Sequence, residues 1–303
     1  MTPPVETRRL TKRYGTLTAV DALDLQVRAG EVYGFLGPNG AGKTTTLRML
    51  LGLVKPTSGE VRLFGRAVVR GAGSGHLSRI GSLVEGPAFY PYLSGRDNLR
   101  VMARHAGVPR ERIAAVIDQV ELTDRAGDKY AAYSLGMKQR LGVAAALLKD
   151  PRLVVLDEPT NGLDPAGMAD MRMLVRRLGA AGCTVLLSSH LMTEVQELCD
   201  RVGVISRGRL VAESTVAELR GERTLRVVAT PLERAASVVG ARWGADAVRV
   251  VDGALALGIP PEEAAAVNAE LVRAGLAVSE LTSHERSLEQ AFFDLTLRES
   301  SDV

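Results

Sequence analysis

Gly37-Pro38-Asn39-Gly40-Ala41-Gly42-Lys43-Thr44-Thr45 is the stretch on which the reading of this chain turns. It fits the pattern G-x-x-x-x-G-K-[ST], whose glycines let successive backbone N–H groups turn toward one point. The run before it, Glu31-Val32-Tyr33-Gly34-Phe35-Leu36, is apolar with β-branched and aromatic residues, and reads as a buried strand. The residues after it, Thr44 to Leu53, read as a helix punctuated by Gly52 and Pro56. Strand, glycine turn and helix in that order put the positive end of the helix at the turn, a ready-made phosphate site. Lys43 is then expected to reach the β- and γ-phosphates of a nucleotide, with the Thr44 hydroxyl as a Mg²⁺ ligand.

A second strand-like run, Leu153-Val154-Val155-Leu156, ends in Asp157-Glu158. A carboxylate at the C-terminal end of a buried parallel strand lies beside a phosphate loop, which gives Asp157 the role of metal ligand. Glu158 follows with reversed side-chain direction, as a base able to polarise an attacking water. Strand signals return at Thr184–Leu187 and Val202–Ile205 with helical pattern between them, so a parallel sheet covered on both faces is predicted. Residues 85–150 alternate Pro/Gly turns with amphipathic patterns such as Glu111 to Val120, and read as a helical insert. The runs Val5–Leu10 and Ala22–Val27 frame a turn at Tyr14-Gly15. From Thr224 the pattern changes to short strands (Leu225–Ala229, Ala247–Val251, Ala254–Leu257) and a helix over Pro261–Ala274. A boundary near Arg220-Gly221 divides residues 1–220 from an α+β domain at 221–303.

Composition narrows the class. The chain has 303 residues, 46% hydrophobic and 24% charged, the balance of an ordinary globular protein of about two domains. No stretch offers the roughly 18 consecutive apolar residues of a membrane span. The start, Met1-Thr2-Pro3-Pro4, shows no basic segment followed by an apolar one, so no secretory signal is expected. Cys183 and Cys199 lie in apolar, periodic surroundings and read as buried free thiols of a reducing cytosol. Residues 221–303 carry 8 basic against 13 acidic residues, a net of −5, which leaves the remainder at +8. Only six of the 38 basic residues are Lys, an arginine bias that is general along the chain and gives no sign of a nucleic-acid partner.

With these motifs the chain resembles the nucleotide-binding subunits of ATP-binding-cassette (ABC) transporters over about residues 5–220. Ser134-Leu135-Gly136-Met137-Lys138-Gln139-Arg140, 23 residues before Asp157, looks like the signature motif that closes over ATP bound to the opposite subunit. Asn161-Gly162-Leu163-Asp164 resembles the D-loop between the two sites of a dimer. His190 resembles the switch histidine that contacts the γ-phosphate, and Tyr14 the aromatic that stacks on adenine. The resemblance implies a P-loop fold with a mostly parallel core, an antiparallel β subdomain and a helical subdomain. It implies ATP and Mg²⁺ as ligands, residues 37–45 as the ATP cradle, and Ser134, Gly136 and Asp164 acting in trans. It also implies a second copy or homologous subunit as partner, and a separate permease that holds the chain at the cytoplasmic face of the membrane.

Two departures point to a subfamily. Glu85, in Gly81-Ser82-Leu83-Val84-Glu85-Gly86-Pro87, stands where the family usually has Gln, and is expected near Mg²⁺. In the signature, Leu135 and Met137 replace the usual Gly and Gln. Both features resemble the bacitracin-resistance type of export ATPase, and Ser287–Phe293 resembles the tail of many drug-export ATPases. The alternatives are a non-transport member of the superfamily or the subunit of an importer. Repair and chromosome members carry a long coiled coil and ribosome-associated members two cassettes, and neither is present. The absence of an Asn-Lys-x-Asp motif argues against a guanine-nucleotide switch.

Overall fold

The structure, a computed structural model, describes residues 2–68, 77–220 and 224–284. It divides into two compact units, Met1–Val216 and Ala217–Val303. The expected tail motif, Ser287–Phe293, lies outside the described residues.

The first unit opens with the antiparallel pair β1 (Val5–Tyr14) and β2 (Leu17–Val27). β3 (Val32–Leu36) runs into the glycine loop and then α1 (Lys43–Leu50). β4 (Ser58–Leu63) and β5 (Arg66–Ala67) join the first pair in an antiparallel sheet of order β2-β1-β4-β5. β6 (Ile80–Leu83) leads to three helices, α2 (Gly95–Ala106), α3 (Glu111–Gln119) and α4 (Leu135–Leu147), where the helical insert was expected. Strands and helices then alternate through β7 (Leu153–Asp157), α5 (Pro165–Ala180), β8 (Thr184–Ser189), α6 (Met192–Leu198) and β9 (Arg201–Ser206). β10 (Arg209–Thr215) folds back on β9, followed by α7 (Val216–Arg220).

The central sheet has the order β10-β9-β3-β8-β7-β6 and is parallel apart from the β9–β10 hairpin. Every residue of β3, β7 and β8 is buried, and α1, α5 and α6 pack against these strands. That double covering explains why the strands read as unbroken apolar runs rather than as alternation. Tyr33 and Phe35 of β3 share a core cluster with Leu47, Met49 and Leu50 of α1. Burying each large apolar side chain contributes about 1.5–3 kcal/mol, so α1 is fixed under the sheet by its own inner face. The register sets Leu36 beside Ser189 and Asp157 beside Ser188, which aligns the ends of β3, β7 and β8 at one edge.

The second unit holds β11 (Thr224–Thr230), α8 (Leu232–Trp243), β12 (Val248–Val251), β13 (Ala254–Leu257), α9 (Ala264–Arg273) and β14 (Ala277–His284). The antiparallel sheet order β12-β13-β11-β14 is that of a split β-α-β fold. Its core joins Leu225, Val227, Leu255 and Leu257 to Val239 of α8 and Val267 and Leu271 of α9. Division between the units falls at Val216–Ala217, inside α7, slightly before the boundary at residue 220 that the sequence suggests.

Candidate nucleotide site

The glycine loop leaves β3 at Leu36 and is held to the next strand by a hydrogen bond from Gly37 N to Ser189 O at 3.3 Å. A Cβ on Gly37 would lie 2.3 Å from Ile205 O, and one on Gly42, at φ 107°, 2.4 Å from Ala19 O. No other residue type fits either place. Gly42 caps α1 without a side-chain hydrogen bond, and no acid stands in the first turn, so the helix start is free to receive an anion. Asn39 and Gly40 are exposed at the loop tip, Pro38 beside them, whereas Ala41 is buried. Thr44 and Thr45 are half-buried.

Lys43 is buried, and its ammonium donates to Gly37 O at 2.6 Å and Pro38 O at 3.3 Å. It also pairs with Glu158 Oε1 at 3.1 Å, while Glu158 Oε2 lies 2.7 Å from His190 Nδ1. An ammonium, a carboxylate and an imidazole therefore form one line across the strand ends. Glu158 reaches it because its backbone turns at φ 46° on leaving β7. Asp157, still within the strand, is directed to β8, where its Oδ1 accepts the Ser188 hydroxyl at 2.6 Å. Ser188 Oγ in turn accepts Glu158 N at 3.0 Å, so one serine fixes both acids.

The signature residues form a separate corner. Ser134 caps α4, accepting Met137 N at 3.3 Å, and Asp164 caps α5, accepting Gly167 N at 3.0 Å. A Cβ on Gly136 would meet nothing nearer than Gly167 Cα at 3.8 Å, so no contact within this chain requires glycine there. Among the described residues no hydrogen bond or ion pair joins Ser134, Gly136 or Asp164 to Lys43, Asp157 or Glu158. Tyr14, at the end of β1, leaves 46% of its surface exposed, with the Lys12 ammonium 4.8 Å from the ring centre.

Comparison with known proteins agrees with this geometry. The family model for the ABC transporter matches residues 20–161. The bacitracin transport ATP-binding protein BcrA of Bacillus licheniformis is 40% identical over 300 residues, 97% of this chain and 98% of the relative. The chain belongs to the ABC transporter ATP-binding family. The daunorubicin resistance ATP-binding protein DrrA3 of Streptomyces coeruleorubidus is 44% identical over 215 residues, 70% of this chain and 68% of that protein. A solved ATP-binding subunit of an ABC transporter superposes with a TM-score of 0.63 at 28% identity, covering 71% of this chain and 91% of the other. Membership makes the chain an ATP-binding, ATP-hydrolysing subunit, and the P-loop fold is that of the family.

The structure gathers Lys43, Glu158 and His190 around the phosphate loop and sets Asp157 next to them. Glu85, expected near Mg²⁺, pairs here with a basic residue of α1. Its carboxylate, on a backbone at φ 66°, is paired with Arg48 of α1 and is largely exposed. Arg48 was not anticipated, because the pairing joins a helix to a loop far along the chain. The double hydrogen bond of Ser188 depends on the β7–β8 register, which sequence does not carry. Both cysteines are free, Cys199 buried and Cys183 half-buried. Burial raises both thiols, that of Cys183 to about 11, so neither is a nucleophile at neutral pH.

Proposed function

We propose that this ATPase subunit dimerises head to tail around two ATP·Mg²⁺ and drives export of an antibiotic, drug or lipid-like compound through a separate permease. The observation that carries the proposal is the line Lys43–Glu158–His190 beside the phosphate loop, with contacts of 3.1 and 2.7 Å. In that arrangement Glu158 accepts the proton of a water attacking the γ-phosphate in line. Lys43 neutralises the β- and γ-phosphates, and His190 contacts the γ-phosphate. The rate enhancement comes from position and fixed charge, as in phosphoryl transfer generally.

Mg²⁺, when bound, neutralises developing charge on the phosphates. The Thr44 hydroxyl and the Asp157 carboxylate would hold it, and α1 packs against β7 so that the two stand on adjoining elements. Among the described residues no three His, Cys, Asp or Glu side chains gather into a metal cage. One hydroxyl and one carboxylate, completed by phosphate oxygens and water, is the sort of hard donor set that Mg²⁺ takes. The lack of any contact within this chain that requires glycine at 136, and the exposed Leu135, support a signature that closes on a partner's ATP with Ser134 and Asp164. Residues 221–303, with their net charge of −5, are assigned an accessory role in assembly or regulation.

The relatives named for bacitracin transport and daunorubicin resistance support export. Among the described residues no helix is long and apolar enough to cross a membrane, in keeping with a permease as partner at the cytoplasmic face. The test is to express the chain with the membrane protein encoded beside it in a sensitive bacterium. Inhibitory concentrations of bacitracin, a lantibiotic and daunorubicin are then measured. Tolerance to at least one compound should rise, and Lys43→Ala should abolish the rise. Equal tolerance with and without Lys43 for all three would overturn antibiotic export.

A further inference from the structure

Glu194 is a buried acid that the site described so far does not use. It stands in the first turn of α6 with 2% of its surface exposed. Its Oε2 accepts the Ser189 hydroxyl at 2.8 Å, and its Oε1 has no hydrogen-bond partner. A half-matched buried carboxylate is costly, and an apolar side chain would fill the place without that cost. Packing alone therefore does not account for it.

The hydrogen bonds around Ser189 show what the carboxylate holds. Ser189 Oγ donates to Glu194 and accepts Leu191 N at 3.0 Å, while the Ser189 carbonyl accepts Gly37 N at 3.3 Å. His190 lies between these two anchored residues and reaches Glu158 at 2.7 Å. The carboxylate thus grips the backbone on both sides of the histidine. Through Ser189 it also grips the first residue of the phosphate loop.

We propose that Glu194 is a positioning residue for ATP hydrolysis, acting through Ser189 to set the His190 ring against the phosphate-loop end at Gly37. It rests on the reading of His190 as the γ-phosphate contact. Glu194 touches neither substrate nor reacting atoms. Without it, the Ser189 hydroxyl is free to turn toward Leu191 O, 3.4 Å away, and the histidine loses its fixed flank. Ground-state ATP keeps Lys43 and the loop N–H groups, so binding is spared. Hydrolysis is not, because a displacement of about 1 Å in a catalytic array costs roughly a hundred-fold in rate.

The experiment is steady-state ATP hydrolysis by the full chain, with melting temperatures measured alongside. Glu194→Ala should lower kcat by roughly 10- to 100-fold with the KM for ATP changed by less than about three-fold. Ser189→Ala should do the same. The double variant should be no slower than the worse single one, because both changes break the same link. Glu194→Gln should keep most of kcat, since its amide oxygen still accepts from Ser189. Parent kcat in Glu194→Ala, alongside an inactive His190→Ala, overturns the role of Glu194 alone. Parent kcat in His190→Ala overturns the histidine reading and this proposal with it. If Glu194→Ala does not fold, Ser189→Ala and Glu194→Gln decide: parent kcat in the first, or a ten-fold loss in the second, overturns the assignment.

Discussion

Glu158 owes its place to one backbone torsion. At φ 46° it leaves strand geometry in a region that side chains with a Cβ seldom adopt, and its carboxylate swings to Lys43. Asp157, one residue earlier, stays in β7 and meets Ser188. Adjacent carboxylates thereby point to different partners, as the proposed division between metal ligand and base requires. Glu85 also has positive φ, but its partner is Arg48, and both side chains are substantially exposed. Exposed ion pairs are worth about 0–1 kcal/mol, so Glu85→Ala should cost less than about 1 kcal/mol in a urea melt. ATP affinity should stay within a few-fold, because Lys43, Thr44 and Asp157 hold the ground-state complex. Turnover measured with the permease should fall if Glu85 passes the ATP state to it. Parent turnover would make Glu85 a solvated loop acid whose pairing with Arg48 has no catalytic consequence.

At the scale of elements, what the sequence reveals follows from burial. β3, β7 and β8 are legible as apolar runs because both their faces are covered, and their ends mark Asp157, Glu158 and the phosphate loop. β4 is not legible: Ser58-Gly59-Glu60 alternates too weakly, and Gly59 is there because a Cβ would lie 2.3 Å from Arg9 O of β1. Such a contact exists only after the sheet has formed. α8 is not legible either, since Ala235 and Val239 are the buried residues of Leu232–Trp243 and too few to mark an apolar stripe. Helix α1 begins at Lys43 and ends at Leu50, short of Leu53, because Gly52 takes the left-handed turn at φ 70°. Charged residues inside the core are a further hidden feature. Arg201 at the start of β9 is buried and pairs with Glu31 at 3.1 Å and Glu213 at 3.3 Å, and Tyr33 donates to Glu213 at 2.7 Å. Burial raises the Glu31 carboxyl above its ordinary range although Arg201 opposes the shift. Arg201→Ala would leave two acids without their cation. It should lower unfolding free energy by about 3–5 kcal/mol in urea titration, far more than the loss of any exposed pair. A change below about 1 kcal/mol would show that the acids protonate or reach water at little cost.

At the scale of the molecule, the first unit contains a phosphate loop, two strand-end acids and a histidine, and among the described residues Ser134, Gly136 and Asp164 make no hydrogen bond or ion pair with them. Ser134 and Asp164 cap helices and Gly136 has no contact within this chain that requires glycine, which suits the proposed closure on a second subunit. A division between cis and trans residues is what the family resemblance implies. Spacing alone does not imply it, since nothing in the order of residues says which chain a motif serves. The account rests centrally on Glu158 as the base of a site closed by dimerisation, and Glu158→Gln tests it most directly. The variant keeps the shape and the hydrogen-bonding oxygen while removing the base, so ATP still binds and the closed dimer persists. Light scattering with ATP should show a stable dimer, and turnover should fall by roughly 10²–10⁴-fold. A variant that stays monomeric with ATP and turns over near the parent rate would contradict both the assignment of Glu158 and the shared site.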